Sequence, residues 1–271
     1  MDRRRFLGGF GGLALCPLCA ERALAAGWGY SGPNGPEHWG SLPGYATCAT
    51  GTQQSPIDLG GAIDANLPAL EMSWRKSNAT IVNPGYTIRI NMPGGSLLRV
   101  GRVSYQMVEF HFHAPSEHAI DGKRAAMEAH FVHQQTTGGH FGADPVHGGN
   151  DWQAEPQTAT LGFGVVGLFI EPGGANPAFA AIAKAMPQQP GEQAPITVAP
   201  AALLPRSLHY WNYAGSLTTP ACSEVVTWMV LREPLRVAQA DIDRYRALYP
   251  MSARPLQPRN RRFVLQSGFR E

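Results

Sequence analysis

Apolar and polar positions alternate along this chain in short runs, separated by glycine, proline and asparagine. The runs at 80–83, 87–92, 97–100, 107–113, 126–133, 161–170 and 225–231 combine β-branched or aromatic residues with turn residues at their ends, the signature of short strands. Helix is scarce. One candidate opens at Asn176-Pro177, turns Phe179, Ile182 and Met186 to one face, and stops at Pro187. Another covers 239–249, with Ile242, Tyr245, Leu248 and Tyr249 on one side. Residues 136–158 hold Gly-Gly twice together with His140 and His147, and read as an irregular surface loop. No internal repeat or linker divides the chain, so the pattern predicts one strand-rich domain.

Composition adds bounds. At 271 residues and 44% apolar content the chain can bury a real core, and a disordered chain is excluded. Past the N-terminal segment no apolar run reaches membrane-spanning length, so a soluble body without stable membrane association is expected. The net charge of +2 gives no reason to expect nucleic acid as a partner. Even that excess is terminal: setting aside Arg3, Arg4, Arg5, Arg22, Asp2 and Glu21 leaves 18 basic and 18 acidic residues.

The first 25 residues read as an address. Arg3-Arg4-Arg5-Phe6-Leu7, a mildly apolar middle from Gly8 to Ala20, and Ala23-Leu24-Ala25 have the layout of a cleaved export signal, and the paired arginines resemble the twin-arginine type. Gly8, Gly9, Gly11 and Gly12 argue against a helix of the mature fold. Cleavage would leave a mature domain over 26–271 in a periplasmic or secreted setting, and only two cysteines, Cys48 and Cys222. In an oxidising compartment such a pair reads as a disulfide, the alternative being two separate buried thiols.

Candidate chemistry sits in two neighbouring runs. Met107-Val108-Glu109-Phe110-His111-Phe112-His113 alternates strictly, so in a strand Glu109, His111 and His113 share one face and Phe110 and Phe112 the other. Met127-Glu128-Ala129-His130-Phe131-Val132-His133 places Glu128, His130 and Val132 together and His133 opposite. Three imidazoles, His111, His113 and His130, can therefore converge from two strands and suit Zn2+ with its fourth position open. Glu109 and Glu128 each precede a histidine by two residues and are placed to accept a ring N–H, which fixes the tautomer of a ligand. His-x-His alone is a weak signal, and histidines hydrogen-bonded to backbone are the plainer reading of the same runs. His118, His133, His38 and His209 read as structural or surface residues.

Longer blocks carry a family resemblance. Glu109-Phe110-His111-Phe112-His113-Ala114-Pro115-Ser116-Glu117-His118, the Glu128–His133 run, Tyr210-Trp211-Asn212-Tyr213-Ala214-Gly215-Ser216-Leu217-Thr218-Thr219-Pro220, Gln54-Ser55-Pro56-Ile57-Asp58-Leu59, Trp28-Gly29-Tyr30, Gly35-Pro36-Glu37-His38-Trp39 and Arg254-Pro255-Leu256-Gln257-Pro258 together resemble the α-class carbonic anhydrases, in the same order. The resemblance implies a mainly β (α+β) single domain around a large, mostly antiparallel twisted central sheet with a few short peripheral helices. It also implies zinc-dependent reversible hydration of CO2 to bicarbonate and a proton, by attack of zinc-bound hydroxide, in a monomer or homodimer. By the same resemblance His111, His113 and His130 bind the metal. Thr218 orients the nucleophile and passes its own hydrogen to Glu117, and its backbone N–H steadies a bicarbonate oxygen. Val132, Val165, Leu217, Val226 and Trp228, with Thr219, line the pocket for CO2. Exported members of the family also resemble this chain in pairing cysteines at the positions of Cys48 and Cys222. Binding modules of the same family that have lost activity generally lack a zinc histidine, and this chain has all three.

Two positions depart from the family pattern. Asn83-Pro84-Gly85-Tyr86 puts tyrosine where a histidine proton shuttle is usual, and a phenol with a pKa of about 10 is a poor relay at neutral pH. His140 or His147 would be the substitutes. Glu109 stands where glutamine is common, and its charge is expected to raise the pKa of a metal-bound water.

Overall fold

The computed structural model describes residues 27–137 and 162–268. The export signal expected at 1–25, and residues 138–158 of the expected loop with His140 and His147, lie outside the described residues. Among the described residues, fourteen strands and three α-helices follow in chain order. Five strands lead in: β1 (Ile63–Asp64), β2 (Leu70–Ser73), β3 (Ser77–Val82), β4 (Arg89–Asn91) and β5 (Leu97–Val100). The long β6 (Val103–His113) is followed by a two-strand ribbon of β7 (Ala119–Ile120) and β8 (Lys123–Arg124), then by β9 (Met127–Thr137) and β10 (Phe163–Pro172). The remaining strands are β11 (Gln193–Val198), β12 (Tyr210–Gly215), β13 (Val226–Val237) and β14 (Leu265–Gln266). The helices are α1 (Thr47–Thr50), α2 (Pro177–Ala185) and α3 (Gln239–Leu248).

Twelve strands form one sheet, ordered β1-β14-β12-β13-β10-β9-β6-β4-β3-β11, with β5 joining β2 to β6. Most neighbours are antiparallel, as expected. Two pairs are parallel, β1 with β14 and, in the middle of the sheet, β10 with β13. The sheet is therefore mixed. Because β9 continues to Thr137, residues 136 and 137 are strand and not loop.

Side-chain alternation sorts the two faces. Phe110, Phe112, Phe131, Val166, Leu168, Met229 and Leu231 are buried on one face, under α2 and α3, which add Phe179, Ile182, Ile242 and Tyr245. The α2 start is the one its sequence signals: the Asn176 side chain accepts the Phe179 N–H at 2.9 Å and Pro177 fills the first turn. Val132, Val165, Val226, Trp228 and Val230 form a separate cluster on the opposite face. That second face carries the imidazoles.

One expectation about the sheet fails locally. Strict alternation holds from Glu109 to His113 but not at Met107 and Val108, because the β6–β9 register shifts between Met107 and Glu109. The extra residue turns the strand over. Met107 consequently packs in the same core as Phe110, and Val108 packs with the valine cluster on the imidazole face.

Candidate metal centre

His111 and His130 are direct partners across the β6–β9 ladder, and His113 lies two residues farther along β6. Residues two apart on a strand share a face and directly opposite residues are neighbours, so three rings meet without a loop. Ring centroids are 4.9 Å apart for His111–His113, 4.5 Å for His113–His130 and 5.3 Å for His111–His130. One nitrogen of each ring lies within 4.8 Å of those of the other two.

Each ring is held at its other nitrogen by a different acceptor. His111 Nδ1 donates to both oxygens of Glu109 at 3.0 Å. His113 Nδ1 donates to the Ser252 carbonyl at 2.6 Å, and His130 Nε2 donates to Glu128 Oε1 at 3.0 Å. What remains is Nε2 of His111, Nε2 of His113 and Nδ1 of His130. The His113 Nε2 is buried with no hydrogen-bond partner. An orphaned buried nitrogen facing two others, each ring fixed in the tautomer that frees a lone pair, fits a divalent cation with three nitrogen ligands. Burial lowers His113 to about 3, with the nearby His111 adding to the effect, and lowers His130 to about 4. Both rings are thus neutral at pH 7, the form that binds metal.

A second group, His118, Glu128 and His130, is equally close. It is not a second metal site, because its donors are occupied. His118 Nδ1 donates to Glu128 Oε1 at 2.7 Å, and His118 Nε2 is hydrogen-bonded to the Tyr213 hydroxyl at 2.7 Å. Tyr213 continues to Ser55 Oγ at 2.9 Å. The other Glu128 oxygen accepts the N–H groups of Glu117 and His118, both at 2.9 Å. Burial alone would raise the Glu128 pKa; the His118 and His130 rings overcome it and hold the carboxyl well below its ordinary range. Gly167, opposite His130 on β10, leaves room for this carboxylate, since a Cβ there would sit 3.0 Å from Glu128 Oε1.

Glu117 is fully buried behind the rings. Its Oε1 accepts the Arg254 N–H at 2.8 Å, and its Oε2 lies 3.5 Å from His113 Nε2 and 3.8 Å from His130 Nδ1. Burial raises its pKa, against the lowering influence of His130, the Arg254 N–H and the Thr218 hydroxyl. Thr218 is buried in the segment after β12, where Leu217 N–H donates to Ser223 and Cys222 N–H to Thr219. Thr219 is half-buried beside it. The Cys48–Cys222 disulfide is formed, and Arg254 donates to the Cys48 carbonyl at 2.9 Å. Val132, Val165, Val226 and Trp228 are buried in one cluster with Leu217 against it, and Val108 joins it.

Tyr86 packs at 4.7 Å against Trp28 and lines, with Tyr30, Tyr249 and Met251, a cavity of about 210 Å3. His118 and His133 are structural, as expected. His133 Nδ1 donates to Phe131 and Gly164 carbonyls at 2.9 and 3.2 Å, and the ring stacks on Trp74.

Three contributors went unread in the sequence. Nothing local marks Ser252 as the anchor of His113, 139 residues away. Arg254 was visible only as part of a block, not as the residue that holds Glu117. Arg89 had a signal: Ile88 and Ile90 are core residues, so the residue between them faces the other way, and the β4–β6 ladder sets it opposite His111.

Comparisons with known proteins agree with this geometry. The family model for eukaryotic-type carbonic anhydrase matches residues 34–268. A carbonic anhydrase of Pectobacterium carotovorum is 34% identical over 257 residues, covering 93% of this chain and 96% of its own. A carbonic anhydrase of Neisseria gonorrhoeae is 35% identical over 245 residues, covering 88% and 87%. Among solved structures, the α-carbonic anhydrase of Thermovibrio ammonificans, in complex with the inhibitor sulfanilamide, superposes with a TM-score of 0.77 at 36% identity and covers 89% of this chain and 99% of its own.

Proposed function

Since the chain belongs to the α-class (eukaryotic-type) carbonic anhydrase family and is a carbonic anhydrase, we propose that it hydrates CO2 reversibly to bicarbonate and a proton with Zn2+ held by His111, His113 and His130. The observation that carries this reading is the set of three imidazoles, each pinned at one nitrogen by Glu109, Ser252 or Glu128 and open at the other. Zinc in such a site is a Lewis acid that makes hydroxide available as a nucleophile at neutral pH, a behaviour for which carbonic anhydrases themselves are the standard example.

The chain's own residues do the rest. Thr218 gives its hydroxyl hydrogen to Glu117 and can then only accept one from the attacking oxygen, which turns that oxygen's lone pair toward the carbon. The Thr218 backbone N–H steadies the oxygen on which negative charge grows. CO2 has no charge and no permanent dipole, so an apolar wall of Val132, Val165, Leu217, Val226 and Trp228, beside Thr219, is the surface that holds it without binding its hydrated product equally well. Glu109 and Glu128 keep His111 and His130 in register, and Tyr86 stands in the place of a proton relay.

The disulfide supports export, because such bonds persist in oxidising compartments. No helix among the described residues is long and apolar enough to cross a membrane. With the arginine-led first 25 residues, this supports a twin-arginine export signal and a mature domain at 26–271 in the periplasm or outside the cell. Stopped-flow CO2 hydration, run with the metal-loaded protein and again after chelation, tests the assignment. Fast hydration that disappears with the chelator and returns with one equivalent of Zn2+ is the expected result. Hydration at the buffer rate in the zinc-loaded protein would overturn it.

A further inference from the structure

Arg89 stands on the metal face of the sheet, directly opposite His111 in the β4–β6 ladder, and its other ladder neighbour is the apolar Val82. It is half-buried, and its Nε is buried without a hydrogen-bond partner. Among the described residues no acid pairs with it. The acids that share the face are occupied elsewhere: both Glu109 oxygens face His111 Nδ1, Glu117 accepts from Arg254, and Glu128 is shared by His118 and His130. A guanidinium is always charged and presents its donors in a flat fork that matches a carboxylate-like anion. An unpaired one held partly out of water beside a cation site is built to take an anion.

We propose that Arg89 forms an oxyanion subsite next to the imidazole cluster, taking planar monovalent oxyanions of the bicarbonate and carboxylate type. The proposal rests on the CO2 and bicarbonate chemistry above and adds to it. The substrate is neutral and the product is a planar anion, so a fixed positive charge at this place acts on one side of the reaction only. It strengthens the hold on bicarbonate and makes the enzyme more sensitive to other small oxyanions. The equilibrium constant of the reaction is untouched, and the effect is read in affinities.

Calorimetric titration of the zinc-loaded protein with sodium bicarbonate, and separately with sodium formate, tests it. Arg89→Gln should weaken both anions about three- to tenfold, the net scale of one hydrogen bond at a half-exposed site. Arg89→Lys, which keeps the charge and loses the fork, should fall between the two. Dissociation constants equal to those of the parent protein in Arg89→Gln overturn the proposal. A second measurement needs no variant: arginine modification by phenylglyoxal, mapped by mass spectrometry, should reach Arg89 in the absence of formate and be slowed by it. An Arg89 that is unreactive, or modified at the same rate with and without formate, also overturns it. Both measurements read binding, so a protein that fails to hydrate CO2 refutes the functional assignment, whereas an active enzyme with an indifferent Arg89 refutes the subsite alone.

Discussion

The backbone N–H of Arg254 donates to Oε1 of Glu117 at 2.8 Å. That bond spends one carboxylate oxygen and leaves the other to receive the Thr218 hydrogen in the proposed reaction. In Glu117→Gln the amide oxygen would keep the Arg254 bond and the NH2 group would take the remaining position, where it donates instead of accepting. Thr218 would then be turned the wrong way. We expect kcat/KM for CO2 to fall by about 10²- to 10³-fold, within the span of lost proton-handling and polar positioning, while zinc content by elemental analysis stays at one per chain.

Proton export, not CO2 attack, is expected to limit turnover. Tyr86 packs at a tilt against Trp28, and a phenol is poorly matched to neutral pH. Raising the concentration of imidazole buffer should increase kcat while kcat/KM stays level, and Tyr86→His should raise kcat most where buffer is dilute. A kcat insensitive to buffer in the parent protein would place the relay elsewhere.

Glu109 brings a full negative charge to the His111 ring, with both oxygens at 3.0 Å from Nδ1. Negative charge near the metal favours the protonated form of the reacting group. Glu109→Gln should therefore move the acid limb of the kcat/KM profile, where activity rises as the nucleophile deprotonates, toward lower pH. A profile that does not move would mean that the charge is not felt at the metal.

Acid stability has a marker away from the metal ligands. Burial lowers His133 to about 4, against an ordinary imidazole value of about 6.5. The folded state thus binds fewer protons than the unfolded chain between those values, and the contribution is fully present above pH 6.5 and lost as pH falls toward 4. Linkage gives about 3 kcal/mol for this one ring. Denaturant unfolding from pH 7 to pH 4 should show a shallower loss of stability in His133→Gln than in the parent chain.

Reduction of Cys48–Cys222 should cost heat resistance before it costs metal. The bond spans 174 positions, for which loop entropy sets an upper limit of about 5 kcal/mol. It ties down the segment that presents Thr218, not the strands that carry the imidazoles. A thermal scan, an activity assay and zinc analysis on the reduced protein should show the first two falling while the third holds. Equal loss of all three would make the bond general scaffolding.

How much of this was legible in the residues depends on range. Period-two alternation placed His111, His113 and His130 on one face because the side-chain direction of a strand is local, and the Asn176-Pro177 helix start was equally local. The bulge at Met107–Val108 was not, since an extra residue shows only against a partner strand. Arg89 lay in between: the isoleucines on either side fixed its face, but that the face was the metal face depended on pairing β4 with β6. Ser252 carried no signal at all, because its contribution is a main-chain carbonyl whose position only the finished fold defines. Identity of the blocks filled the gap that periodicity left for Thr218, Glu117 and the valine wall.

The anchors of His113 and Glu117 come from Ser252 and Arg254, more than 120 positions after the last of the three histidines. During synthesis the ligand strands emerge more than a hundred residues before those anchors do. A chain that stops short of them holds all three histidines but lacks the acceptor that orients His113, so a complete set of oriented ligands waits for residue 252. Trimming the C-terminus from either side of residue 252 should accordingly separate a chain that merely contains the ligands from one that can use them.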